Sequence, residues 1–129
     1  MSHELLRILL IDDEDDIREI ATLAFESAGG FEVLTADGGL AGVEQARTHR
    51  PDVVLLDVMM PEHDGPSTVA LLRARADTAE IPVIFLTAKV QAADKRNLLA
   101  LGAKGIISKP FDPMTLPDAV RAIIEETPS

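Results

Sequence analysis

At 129 residues the chain has the length of one ordinary domain and can bury a real core. It contains no cysteine, tryptophan or tyrosine and carries a net charge of −10. This excludes disulfides, thiolate metal sites and thiol nucleophiles, and argues against base stacking and direct contact with nucleic-acid phosphates. No apolar run approaches the roughly 20 residues of a membrane span, and charge at Glu4 and Arg7 precedes the first apolar run. Neither a membrane segment nor a secretory leader is expected, and the protein reads as cytosolic.

Taken in order, Leu5–Ile11 is a short apolar run closed by acids, as a buried strand would be. Ile17, Ile20, Ala21, Ala24 and Ala28 recur at helical spacing, which predicts a helix with a core-facing stripe, ended by Gly29-Gly30. Phe31–Ala36 is a second strand and Leu40–His49 a second helix. Asp52–Asp57 is apolar until its last residue, a third strand. Gly65-Pro66 opens a third helix, with proline near its first position, extending to about Ala76. Ile81–Leu86 is a fourth strand, Gln91–Leu101 a fourth helix stopped at Gly102, and Gly105–Ser108 a short fifth strand. Leu116, Val120, Ile123 and Ile124 mark a last helix, which must begin near Thr115 so that Pro117 falls in its first turn.

Strands that alternate with helices imply βαβ units. Strands this apolar imply a parallel sheet covered by helices on both faces. Without linkers or repeats, residues 1–129 read as one domain with a polar tail at 125–129.

Ligands of open α/β sheets bind beyond the carboxyl ends of the strands, so the residues that end each strand matter most. The first strand ends in Asp12-Asp13, the third in Asp57 and the fourth in Thr87, while the fifth leads to Lys109. Three carboxylates, a hydroxyl and an ammonium would meet on one edge. Two like charges ~5 Å apart repel by roughly 3 kcal/mol at an effective dielectric near 20, so a cation must compensate there or a carboxyl pKa must rise. An all-oxygen donor set suits Mg²⁺. Metal, Lys109 and Thr87 would supply partners for the three oxygens of a phosphoryl group, with Asp57 as its nucleophilic acceptor.

Four stretches then match a known family in order and spacing: Ile8-Leu9-Leu10-Ile11-Asp12-Asp13-Glu14, Asp52–Pro61 with Asp64-Gly65, Phe85-Leu86-Thr87-Ala88, and Lys109-Pro110-Phe111. Over essentially its whole length the chain resembles the receiver domain of bacterial two-component response regulators. The resemblance implies a flavodoxin-like, doubly wound α/β sheet of five parallel strands in the order 2-1-3-4-5. It implies Asp57 as phospho-acceptor and Mg²⁺ on Asp12, Asp13, Asp57 and the Met59 backbone carbonyl. Thr87 and Lys109 would bind the phosphoryl group, and the Lys109-Pro110 bond is often cis in the family. The donor would be a histidine kinase or phosphotransfer protein, and the recipient of the signal a protein target or output domain. Such a domain is not an enzyme beyond assisting its own phosphorylation and slow dephosphorylation. Ile106 stands where the family usually carries a switching aromatic, and Met59 and Lys89 stand where phosphoryl lifetime is tuned. The surface expected to respond lies around Gln91–Arg96 and Ile106.

Other classes fit less well. A haloacid-dehalogenase-like phosphatase wants a second acid two residues after its nucleophile, where this chain has Met59. A flavodoxin-like electron carrier would not place Asp12 to Asp16 against a flavin phosphate, and no nucleotide-binding P-loop is present. A receiver-shaped interaction module without phosphorylation is the remaining alternative. His3, His49 and His63 adjoin no motif and read as surface residues; Met59 and Met60 read as packing or loop residues.

Overall fold

The computed structural model describes residues 5–88 and 91–125; Lys89, His3 and residues 126–129 of the expected tail lie outside them. Strands β1 (Leu6–Ile11), β2 (Phe31–Ala36), β3 (Val53–Asp57), β4 (Val83–Thr87) and β5 (Gly105–Ser108) alternate with helices α1 (Asp15–Ala28), α2 (Gly39–His49), α3 (Gly65–Arg73), α4 (Ala92–Ala100) and α5 (Leu116–Glu125). The strands form one sheet in the order β2-β1-β3-β4-β5, and every pairing is parallel.

All residues of β3 and β4 are buried. Because side chains alternate across a strand, each contributes to two cores. Leu9, Ile11, Val54, Leu56, Val83 and Phe85 pack with Ala46 of α2, Val69 and Leu72 of α3 and Leu98 of α4. Ile8, Leu10, Val53, Leu55, Ile84 and Leu86 pack on the other face with Ala21 and Phe25 of α1 and Leu116 and Val120 of α5. This two-sided burial explains why the strands read as continuous apolar runs.

Three expectations need correction. The α1 stripe is not all core: only Ala21 and Phe25 are buried there. Ile20 and Ala28 are exposed, and Ile20, Ala24 and Ala28 instead line an apolar groove with Leu23, Pro113, Met114 and Pro117. The Ala21–Phe25 pair fills the space against the sheet, so a stripe wider than that contact turns outward. Helix α3 stops at Arg73, short of Ala76. The Thr78 hydroxyl donates to the Leu72 carbonyl at 2.6 Å, and the Arg73 guanidinium donates to the Ala79 and Ile81 carbonyls at 3.0 and 2.8 Å. These bonds fold the chain back under the helix end. Finally, β4 runs from Val83 to Thr87, two residues later than Ile81 at its start and one later than Leu86 at its end.

The carboxyl end of β3 is shaped by α3. Asp64 caps that helix, accepting from the Ser67 amide at 2.9 Å, with Gly65 and Pro66 in the first turn. The Gly65 amide donates to the Val58 carbonyl at 2.9 Å, which brings the two backbones into contact. A Cβ on Gly65 would lie 2.9 Å from Val58 Cα and 3.0 Å from the Asp57 carbonyl oxygen, both too close. Gly65→Ala is therefore expected to destabilise the protein by about 1–3 kcal/mol, the usual cost of overpacking, read as a lowered urea midpoint. An unchanged midpoint would show that the loop yields freely.

Candidate functional site

Register brings the chemistry together. Ile11 pairs with Leu56, so Asp12 and Asp57, one residue further on, leave the sheet side by side. Thr87 pairs with Ser108, which sets Lys109 just beyond the end of β4, its amide donating to the Thr87 carbonyl at 2.9 Å. The Lys109-Pro110 bond is cis, as the resemblance implied.

Carboxylate oxygens of Asp12, Asp13 and Asp57 lie within 4.8 Å of one another. Asp12 and Asp57 are buried and Asp13 is exposed, so the cluster opens to solvent at Asp13. The Lys109 ammonium lies 3.0 Å from Asp12 Oδ2, 3.2 Å from Asp57 Oδ1 and 3.5 Å from Glu14 Oε2. Thr87 ends β4 and is buried. Asp13, Glu14, Asp57, Met59, Ala88 and Lys109 line a shared recess, in which Met59 is exposed while its neighbour Met60 is buried in the core. Ile106 does not line this recess. It sits half-buried in β5 against the core cluster of Phe85 and Leu98.

Two residues of this neighbourhood carried no role in the sequence reading. Arg18 donates to the Asp12 backbone carbonyl at 2.7 Å and pairs with Asp15, fixing the turn that carries the acids. Glu14 precedes α1, but its side chain makes no capping hydrogen bond; it faces Lys109 instead. Arg18 follows Asp15 by one helical turn, a spacing visible in the sequence. The contact between Glu14 and Lys109 has no such local signal.

Crowding sets the electrostatics. Burial, and next the Asp12 charge, raise the Asp57 carboxyl to about 6; the Lys109 ammonium and the Met59 amide pull the other way without prevailing. Burial would lower the Lys109 ammonium, but Asp12 and then Asp57 hold it above its ordinary range. Lys109 is a fixed cation at neutral pH, and one cation does not balance three carboxylates. The strain is visible at Asp12. Its Oδ1 accepts from the Glu14 amide at 2.9 Å, whereas buried Oδ2 accepts no aligned hydrogen bond among the described residues and lies 3.0 Å from the Lys109 ammonium. A buried carboxylate oxygen left this way, within an all-oxygen cluster open on one side, fits a hard divalent cation.

The family model for the response regulator receiver domain matches residues 8–121. The chain is 40% identical over 121 residues to the transcriptional regulatory protein CseB of Streptomyces avermitilis, covering 94% of this chain and 50% of that protein. It is 38% identical over 121 residues to the DNA-binding dual master transcriptional regulator RpaA of Synechocystis, again covering 94% and 50%. Among solved structures, the chemotaxis protein CheY4 of Vibrio cholerae superposes with a TM-score of 0.85 at 31% identity, covering 92% of this chain and 98% of that one. The chain belongs to the response regulator receiver domains of two-component systems, with the flavodoxin-like fold of the chemotaxis regulators. It spans about half the length of the curated relatives it matches. No helix among the described residues is long and apolar enough to cross a membrane.

The raised Asp57 carboxyl makes a signed prediction. It ionises near 3.8 in an unfolded chain and near 6 here, so its contribution favours folding at acidic pH and is lost as pH rises through 6. Asp57→Asn removes that loss. In metal-free buffer, the variant's stability relative to wild type should rise by on the order of 2–3 kcal/mol between pH 4 and 7, read by urea unfolding. Parallel profiles would contradict the electrostatic account.

Proposed function

We propose that this receiver takes a phosphoryl group onto Asp57 from a phosphohistidine on a sensor kinase or phosphotransfer protein. The observation that carries the reading is the buried Asp57 carboxylate 3.2 Å from the half-buried Lys109 ammonium, at strand ends that also gather Asp12 and Asp13. An Asp57 oxygen attacks phosphorus and forms a P–O bond. The P–N bond to the donor imidazole breaks, its electron pair stays on nitrogen, and that nitrogen takes a proton from solvent. With its carboxyl near 6, Asp57 is mostly ionised at neutral pH and ready as a nucleophile.

Asp12, Asp13, Asp57 and the Met59 backbone carbonyl are the residues that would hold Mg²⁺, which when bound offsets the charge of carboxylates and phosphoryl oxygens. Lys109 and the Thr87 hydroxyl each serve one phosphoryl oxygen. Their movement toward the new charge draws the end of β4 inward. That motion alters the face formed by α4, β5 and α5, with Ile106 repacking in place of a switching aromatic. A protein target or output domain reads this face; the acidic net charge gives no support to direct nucleic-acid binding, and the working compartment is the cytoplasm. Beyond assisting its own phosphorylation and slow hydrolysis, the domain acts as a switch and not as an enzyme. Met59 offers no proton where a phosphatase of this chemistry would need an acid.

Intact mass after incubation with acetyl phosphate and Mg²⁺ tests the assignment. Wild type should gain one phosphoryl group, and both EDTA and Asp57→Asn should abolish the gain. No gain in wild type that binds Mg²⁺ would leave an interaction module and end the switch mechanism.

A further inference from the structure

The Lys109 ammonium has three N–H donors and three carboxylates around it, those of Asp12, Asp57 and Glu14. These three ion-pair contacts crowd the ammonium, so an incoming phosphoryl oxygen must displace one of the partners to reach Lys109 at close range. Asp12 and Asp57 are buried, and in the metal-free domain releasing either would leave a buried charge uncompensated. Glu14 differs on each count. Its contact is the longest of the three, and its side chain is 60% exposed, so water can take over at once. It has no competing duty at the start of α1, where it forms no side-chain cap. Its backbone is nevertheless anchored, because its amide donates to Asp12 Oδ1 at 2.9 Å, which keeps the carboxylate at the rim of the recess.

We propose that Glu14 is a positioning residue that pairs with the Lys109 ammonium in the resting domain and is displaced from it by the incoming phosphoryl oxygen. The proposal rests on Asp57 being the acceptor. The transfer itself is unchanged: from acetyl phosphate, an Asp57 oxygen forms the new P–O bond while the bond from phosphorus to the acetyl oxygen breaks and acetate leaves with the electron pair. Glu14 sets only how readily Lys109 is available as that happens. The resting receiver is therefore held back by its own rim carboxylate, and removing that charge should speed phosphorylation.

The test compares wild type, Glu14→Gln and Asp16→Asn, the last removing an exposed acid from the first turn of α1. Three quantities are read: the rate of phosphoryl gain from acetyl phosphate at saturating Mg²⁺, the Mg²⁺ dissociation constant, and the ¹⁵N resonance of Lys109 Nζ in metal-free protein. Glu14→Gln should shift the Lys109 resonance and raise the rate about two- to fivefold, the range set by exposed ion pairs, with Mg²⁺ affinity within twofold of wild type. Asp16→Asn should leave both resonance and rate near wild type. An unmoved Lys109 resonance or an unchanged rate in Glu14→Gln overturns the proposal. Equal acceleration by Asp16→Asn also overturns it, because general repulsion of an anionic donor then suffices. A tenfold loss of Mg²⁺ affinity in Glu14→Gln overturns it too, and moves Glu14 to the water shell of the metal. Absence of phosphoryl gain in wild type is a separate result and refutes the acceptor assignment itself.

Discussion

Everything distinctive about this domain follows from holding Asp12, Asp13 and Asp57 together around one ammonium. Like charges ~5 Å apart cost roughly 3 kcal/mol per pair at an effective dielectric near 20, and Lys109 offsets only part of that. The cost is expressed in the Asp57 carboxyl, pushed up to about 6, and in an Asp12 oxygen that is buried without an aligned donor. A site in this condition fits added positive charge. The cluster is electrostatic frustration kept in place by a rigid frame.

The frame is the apolar sheet. β3 and β4 are buried on both faces, so their ends cannot drift to relieve the crowding, and hydrophobic burial over two cores outweighs the penalty at the carboxyl edge. Helix α3 closes against Val58 through Gly65, while Arg18 secures the carbonyl of Asp12. The site is thus positioned by backbone packing and adjusted by side chains. At Asp57 in particular the frame holds a carboxyl against its preferred charge state.

Much of this was legible in the sequence because parallel strands announce themselves as apolar runs, and the residues closing the first, third and fourth runs fall in the candidate site. Asp12, Asp57 and Thr87 could be placed by that logic alone, and Lys109 by its position just after β5. What stayed hidden depends on distance in space. The meeting of Glu14 and Lys109 spans most of the chain and needs the register of several strands. The width of the α1 stripe that reaches the core depends on how closely Phe25 lets the helix approach, so Ile20 and Ala28 gave a periodic signal without being buried. The early end of α3 comes from hydrogen bonds made by Thr78 and Arg73, which compete with a helix that local propensity would have extended. Ile106 could be located in β5, yet its packing against the side of the sheet that carries Phe85 and Leu98 follows from strand parity and neighbouring helices together.

The central claim is that the acidic cluster is strained without a divalent cation and relieved by one. Thermal unfolding at pH 7.5 with increasing Mg²⁺, for wild type and Asp13→Asn, tests it most directly. The account predicts a melting temperature that climbs with Mg²⁺ in wild type, following the logarithmic dependence of ligand linkage, and a much weaker response in Asp13→Asn. A wild-type melting temperature indifferent to Mg²⁺ would contradict it.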